Sequence, residues 1–115
     1  MQDLAARTFD FALRITKLVA RLPNNRIADV HGRQLLRAGT SVGANWQEAT
    51  AASSQADFVY RVEVCEREAR ESNYWLRLIE AALLPADADV KALQKESEEL
   101  VAILTTIGRK SKSKR

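Results

Sequence analysis

The sequence is poor in residues that interrupt or cross-link a chain: four glycines, two prolines, one cysteine and one histidine in 115 positions. A lone cysteine, Cys65, has no partner for an intrachain disulfide, which excludes a stapled secreted scaffold. With His31 the single imidazole, no zinc cluster can be assembled, although carboxylates alone can hold a hard cation. No run of about 18 uncharged apolar residues occurs, which excludes a transmembrane helix. The start, MQDLAARTFDF, has no basic segment leading into an apolar run. That predicts no signal peptide and a cytoplasmic protein. No Gly-x-Gly-x-x-Gly or Walker A sequence is present, so no nucleotide cradle and no cofactor are expected. Few glycines and prolines also leave few turns, and few turns mean long elements.

What is present is charge, unevenly placed. The net charge is +3, from 18 Lys and Arg against 15 Asp and Glu. Residues 1–46 carry +4, residues 47–100 carry −6, and the last eight residues add five cations. Those five, Arg109, Lys110, Lys112, Lys114 and Arg115, account for nearly all of the basic balance. A basic and an acidic segment in one small chain suit head-to-tail contact between copies, which is the expectation here.

Apolar spacing sets the element type. Leu4, Phe11, Ile15, Leu18, Val19 and Leu22 fall within about 100° of arc on a helical wheel. Pro23-Asn24-Asn25 ends that first helix. A second helix runs from about Ile27 to Ser53, with Leu35, Ala38, Val42, Asn45 or Trp46, Ala49 and Ala52 recurring at three- and four-residue intervals. Its middle, Gly39-Thr40-Ser41-Val42-Gly43, is poor helix material. Either the helix bends there, or small residues let another backbone come close. Ser53 or Ser54 can cap a third helix. In it Phe58, Val62, Cys65, Ala69, Ser72, Leu76, Ile79 and Leu83 recur at 3.5-residue spacing until Pro85. The fourth, capped by Asp87 or Asp89, repeats Val90, Leu93, Ser97, Leu100, Leu104 and Ile107, with Gly108 as its stop. Short connections make sequential helices antiparallel. The expected fold is all-α, an up-down-up-down four-helix bundle over residues 1–108. Residues 109–115 read as a disordered basic tail, having nothing apolar to bury.

Each bundle helix needs one apolar stripe, yet two carry more. Phe9 and Leu13 flank the stripe of the first helix. The third adds Val64, Trp75 and Ala82 at one angle, and Tyr60, Tyr74 and Leu78 at another. Surplus apolar surface marks an interface, so self-association through Phe9, Leu13, Tyr60, Tyr74 and Trp75 is expected.

No residue set reads as catalytic. His31 has neither an orienting partner nor a nucleophile nominated beside it and reads as a surface or capping residue. Cys65 sits inward in the heptad and reads as core filling. Glu63, Glu66, Glu68 and Glu71 interleave with Arg61, Arg67 and Arg70, which reads as a salt-bridged face with pairs such as Glu63–Arg67 and Glu66–Arg70. The absence of further histidines rules out a ferritin-like di-iron site. A non-enzyme without a metal is the expectation. The remaining candidates are basic: Arg7, Arg14, Lys17 and Arg21 along one face of the first helix, then Arg26, Arg33 and Arg37, then the five tail cations. Such rows attract phosphate, with affinity that falls steeply with salt.

Two stretches carry a family resemblance. Arg37-Ala-Gly-Thr-Ser-Val-Gly-Ala-Asn-Trp-Gln-Glu-Ala49 resembles a signature Arg-Ala-x-x-Ser-(Ile/Val)-x-x-Asn-Ile-x-Glu-Gly. Asp57 to Leu76 is similar to the third helix of the same family. These are the bacterial four-helix bundle proteins encoded in intervening sequences of large ribosomal RNA genes. Trp46 stands where Ile is usual and Ala49 where Gly is usual. The resemblance implies a ring-shaped homopentamer. It also implies kinship with retroelement accessory proteins, which bind nucleic acid and a reverse transcriptase. RNA, DNA, a reverse transcriptase or another protein are therefore the expected partners besides the chain itself. Ser41, Asn45 and Glu48 match the polar signature, and their spacing of 4 and 3 places them on one helix face. The physical reading is a buried or interfacial polar network that fixes a bend and a register.

Overall fold

The computed structural model describes residues 3–113, which form four helices and no strand. They are α1 (Leu4–Ala20), α2 (Arg26–Thr50), α3 (Gln55–Ala82) and α4 (Ala88–Ser113). Each start has a cap that satisfies a free backbone N–H. Asp3 accepts from Ala6 N, Asn25 from Ala28 N, Ser54 from Asp57 N and Asp87 from Val90 N. Of the two candidates at each later boundary, Ser54 and Asp87 do the capping. In the α3–α4 turn Ala86 takes φ 57°, a left-handed conformation that costs a non-glycine residue about 1–2 kcal/mol.

Cross-chain contacts fix the directions. Gly32 faces Val19 and Leu22, Gly39 faces Ile15, and Gly43 faces Thr8, so α1 and α2 are antiparallel. His31 meets Trp75 and Trp46 meets Phe58, so α2 and α3 are antiparallel. Lys91 and Gln94 reach Glu80 near one end of α3, while Gln55 at the other end reaches Ser111. Arg21 pairs with Asp87 and Arg7 with Glu96, which closes α1 onto α4. The molecule is an up-down-up-down four-helix bundle measuring 48 × 21 × 20 Å.

The core runs through the middle. Phe11, Ile15 and Leu18 of α1 are buried, as are Leu35 and Val42 of α2. They meet Val62, Cys65, Leu76 and Ile79 of α3 and Val90, Leu93, Leu100 and Leu104 of α4. Burial of side chains of this size stabilises by roughly 1.5–3 kcal/mol each. The heptad registers of α3 and α4 hold, with three shifts at the ends, one of them in α4, where Ile107 is half-buried and Gly108 takes the inward place. Phe58 is half-buried, its ring set edge-on to Trp46 at 6.3 Å, and Val59 takes the inward place. Leu83 caps α3 and is half-buried.

One open alternative is decided and one expectation is corrected. First, α2 is one continuous helix through Gly39 and Gly43. The small residues serve close approach: a methyl on Gly39 would lie 2.9 Å from both γ carbons of Ile15, and one on Gly43 would lie 3.1 Å from Thr8 Oγ1. Second, α4 does not stop at Gly108 but runs to Ser113. Gly108 is buried at the next inward position after Leu104, so the helix keeps a contact face there. Beyond it, Lys112 pairs with Glu63 at 2.6 Å and the Gln55 amide donates to Ser111 O. Residues 109–113 of the expected tail are therefore helical, while Lys114 and Arg115 lie outside the described residues.

Candidate functional site

Most of the predicted phosphate-binding row is already occupied by carboxylates of the same chain. Arg7 turns toward α4, where its Nε lies 2.6 Å from Glu96 and its Nη2 2.7 Å from Glu99. Its side chain is only 14% exposed. The hydrogen bonds it donates to Glu96 lead the effects that hold this guanidinium more firmly charged than usual. Arg21 pairs with Asp87 at 2.8 Å and lies near Asp89, and that hydrogen bond raises the Arg21 pKa while lowering that of Asp87. Arg14 is near Asp10, and Arg33 pairs with Asp29. Arg37 reaches across to Glu68 and Glu71 of α3. The expected attraction between basic and acidic segments is thus realised inside one chain, across the α1–α4 and α2–α3 seams.

Of the predicted cations, Lys17, Arg26, Arg109 and Lys110 have no carboxylate within ion-pair distance among the described residues. Sequence reasoning passed over three more. Arg67 and Arg77 on α3 and Lys95 on α4 have no acid partner either. Glu63, expected to pair with Arg67, meets Lys112, whereas the expected Glu66–Arg70 pair forms at 2.8 Å. Arg77 was detectable, because Asn73 and Ala81 stand four residues to either side. Arg67 was not, because Glu63 and Glu71 flank it at the same spacing and are claimed from other helices.

The polar signature lies on the outside of α2. Ser41 Oγ donates to Arg37 O and Asn45 Nδ2 donates to Ser41 O, both within the helix backbone. Ser41 and Asn45 are half-buried and Glu48 is exposed. No buried network forms within the chain, since the side chains bond to their own helix rather than to one another.

The surplus apolar surface falls in two places. Phe9 is 71% exposed and Leu13 42%. Phe9 edges an open groove of about 310 Å³ between α1 and α2, lined also by Ala5, Ala12, Gly43 and Ala44. On the far side of the bundle Tyr60 and Tyr74 are about half exposed. Trp75 differs from the expectation of an exposed interface residue. It is half-buried against the core, its Nε1 donates to Glu71 at 2.9 Å, and its ring lies against His31 and Tyr74. Ile27 and Val30, at the start of α2, are also exposed.

The two nucleophile candidates resolve simply. Cys65 is fully buried, and burial pushes its thiol up to about 12, which removes thiolate character at neutral pH. His31 is half-buried beside Trp75, with no hydrogen-bond partner for Nδ1. Among the described residues no three His, Cys, Asp or Glu side chains gather as a metal set, and no helix is long and apolar enough to cross a membrane.

Comparison with known proteins gives the family. No curated protein matches the chain in sequence. A crystal structure of a protein of unknown function from the S23 ribosomal protein family of Bacteroides thetaiotaomicron superposes with a TM-score of 0.84. It is 33% identical, and the match covers 91% of this chain and 97% of that one. The family model for the 23S rRNA-intervening sequence protein matches residues 2–106. With the Ser41–Glu48 face on α2 and the fold in agreement, the chain belongs to the 23S rRNA-intervening sequence protein family.

Proposed function

We propose that the protein is a non-enzymatic scaffold that assembles from copies of itself and holds nucleic acid through phosphate contacts. The observation that carries this reading is the charge left after internal pairing. Among the described residues Lys17, Arg26, Arg67, Arg77, Lys95, Arg109 and Lys110 lack a carboxylate within 4 Å, while among the acids only Asp3, Glu48 and Glu98 lack a cation. The paired charges are largely neutral to a ligand, so the surplus is cationic. Phosphate attracts such a surface without needing base-reading groups.

Assembly is supported by the exposed Phe9 over a groove of small residues, by the exposed Leu13 and by the exposed Tyr60 on the far side. Patches on different faces make a head-to-tail contact, which closes into a ring when the rotation permits. A five-membered ring is the assembly that the family resemblance implies, and it would repeat the unpaired cations around one surface. Light scattering should then give a mass several times 12.9 kDa. Filter binding should retain RNA or duplex DNA at about 50 mM salt and lose most of it by about 200 mM. A monomer mass removes the assembly, and no retention at the lower salt removes the nucleic-acid role. A protein partner such as a reverse transcriptase is the second reading. It is favoured by Ile27 and Val30, exposed apolar residues that lie outside the Phe9 groove.

A further inference from the structure

Resting on the nucleic-acid reading above, we propose that the outward face of α3 is a binding site for single-stranded nucleic acid, with Tyr74 as the stacking platform and Arg67, Arg70 and Arg77 as the phosphate contacts. These residues are spaced by 3, 4 and 3, which puts them on one side of the helix over about 15 Å. That length suits two or three nucleotides of extended strand.

The arginine at the end of the row is held by a neutral group. Arg77 Nε donates to Asn73 Oδ1 at 3.0 Å, and Asn73 is in turn fixed to α4 through Ser97 Oγ and Gln94 O. An arginine aimed by an amide keeps its full charge, and its two terminal nitrogens have no partner among the described residues. Arg70 and Arg77 stand on the wall of an open cleft of about 300 Å³ between α3 and α4, together with Asn73 and Glu98. Arg77 also borders a second cleft beside Tyr74. One guanidinium therefore separates a place for a phosphate from a place for a base. The Tyr74 ring is 51% exposed and is held edge-on by Trp75, with ring centres 5.2 Å apart. A half-exposed aromatic beside Arg77, which has no acid partner among the described residues, is the arrangement that stacks bases without reading them. Duplex bases are already stacked on each other and have no face to offer Tyr74, so the site should prefer single strands.

Carboxylates oppose the row at both ends: Glu66 pairs with Arg70 at 2.8 Å and lines a cleft with Glu63 and Arg67, and Glu98 stands opposite Arg77. Glu98 lines the phosphate cleft and has no cation within 4 Å among the described residues. It limits affinity, so its removal supplies a test with the opposite sign.

Fluorescence anisotropy with an oligouridine of about 12 nucleotides, its deoxythymidine counterpart and a duplex of equal length reads the site, at about 50 mM salt. The full chain should bind both single strands more tightly than the duplex. Arg77→Gln should weaken single-strand binding at least fivefold. Tyr74→Leu should weaken it similarly and leave duplex binding unchanged. Glu98→Gln should strengthen it about twofold to threefold. All three positions are exposed or line open clefts, and unchanged thermal melting confirms the fold. If the full chain binds RNA but the three variants bind as it does, the α3 site is wrong and the scaffold reading stands. If Tyr74→Leu lowers the assembly mass and Glu98→Gln brings no gain, the face belongs to contact between copies and the proposal falls. If neither single strand nor duplex binds, the nucleic-acid reading fails and the site fails with it.

Discussion

The α1–α2 seam and the α3–α4 seam hold the same bundle together by opposite means. Between α3 and α4 the contact is made by large residues in a 3.5-residue register, among them Leu76, Ile79, Leu93, Leu100 and Leu104, all fully buried. Between α1 and α2 the contact depends on what is missing. Gly39 admits Ile15, and Gly43 admits Thr8, whose hydroxyl donates back to Leu4 O. One seam is filled by volume and the other by close backbone approach. The first should therefore fail when atoms are removed, and the second when they are added.

The strongest break expected is at the filled seam. Leu100→Ala should lower unfolding free energy by about 2–5 kcal/mol, read by urea titration with an unchanged slope. A loss below about 1 kcal/mol would mean that the seam collapses around the gap. At the close seam, Gly39→Ala should destabilise by about 1–3 kcal/mol, because the new methyl meets the Ile15 branch itself. Alanine's better helix propensity, about 1 kcal/mol, offsets only part of that. A net gain in stability would show that α1 slides freely along α2. A third test concerns the seam that closes the ring of helices. Arg7→Met leaves Glu96 partly buried without its cation and should cost about 1–2 kcal/mol. It should leave RNA affinity unchanged, since Arg7 faces Glu96 and Glu99 rather than a ligand. The smallest effect has the opposite sign. A methyl on Gly108 would meet nothing closer than Val62 Cγ1 at 3.8 Å, so Gly108→Ala should stabilise by about 0.5–1 kcal/mol. Together, Gly39→Ala and Gly108→Ala separate two glycines that are both buried inside helices.

Much of this was legible before any coordinates. Helix number, boundaries to within a few residues, and the inward sets of α3 and α4 follow from spacing, because a 3.5-residue repeat has one way to be buried. The close approach at Gly39 and Gly43 was legible only as one of two alternatives, since small residues permit both a bend and a contact. The charged surface was read least well. Arg7 and Glu96 are 89 positions apart, and no local pattern says that they meet. The helical extension past Gly108 was hidden for a related reason. Its support, Gln55 and Glu63, comes from the start of α3. Sequence shows which charges a chain has, whereas the fold decides which remain available, and here availability moved from α1 to α3 and α4.

The order of contacts also bears on how the bundle forms. Each helix packs on the one that follows it, so three of the four seams join neighbours in the sequence. Such short-range closures assemble quickly. The α1–α4 seam is the exception. Its ends are separated by most of the chain, and bringing them together carries a loop-closure entropy that the other seams do not. Seating Arg7 between Glu96 and Glu99 is accordingly the natural last step of folding. The first helix is then the element that peels away most readily, like the end stave of a barrel whose neighbours were fitted first.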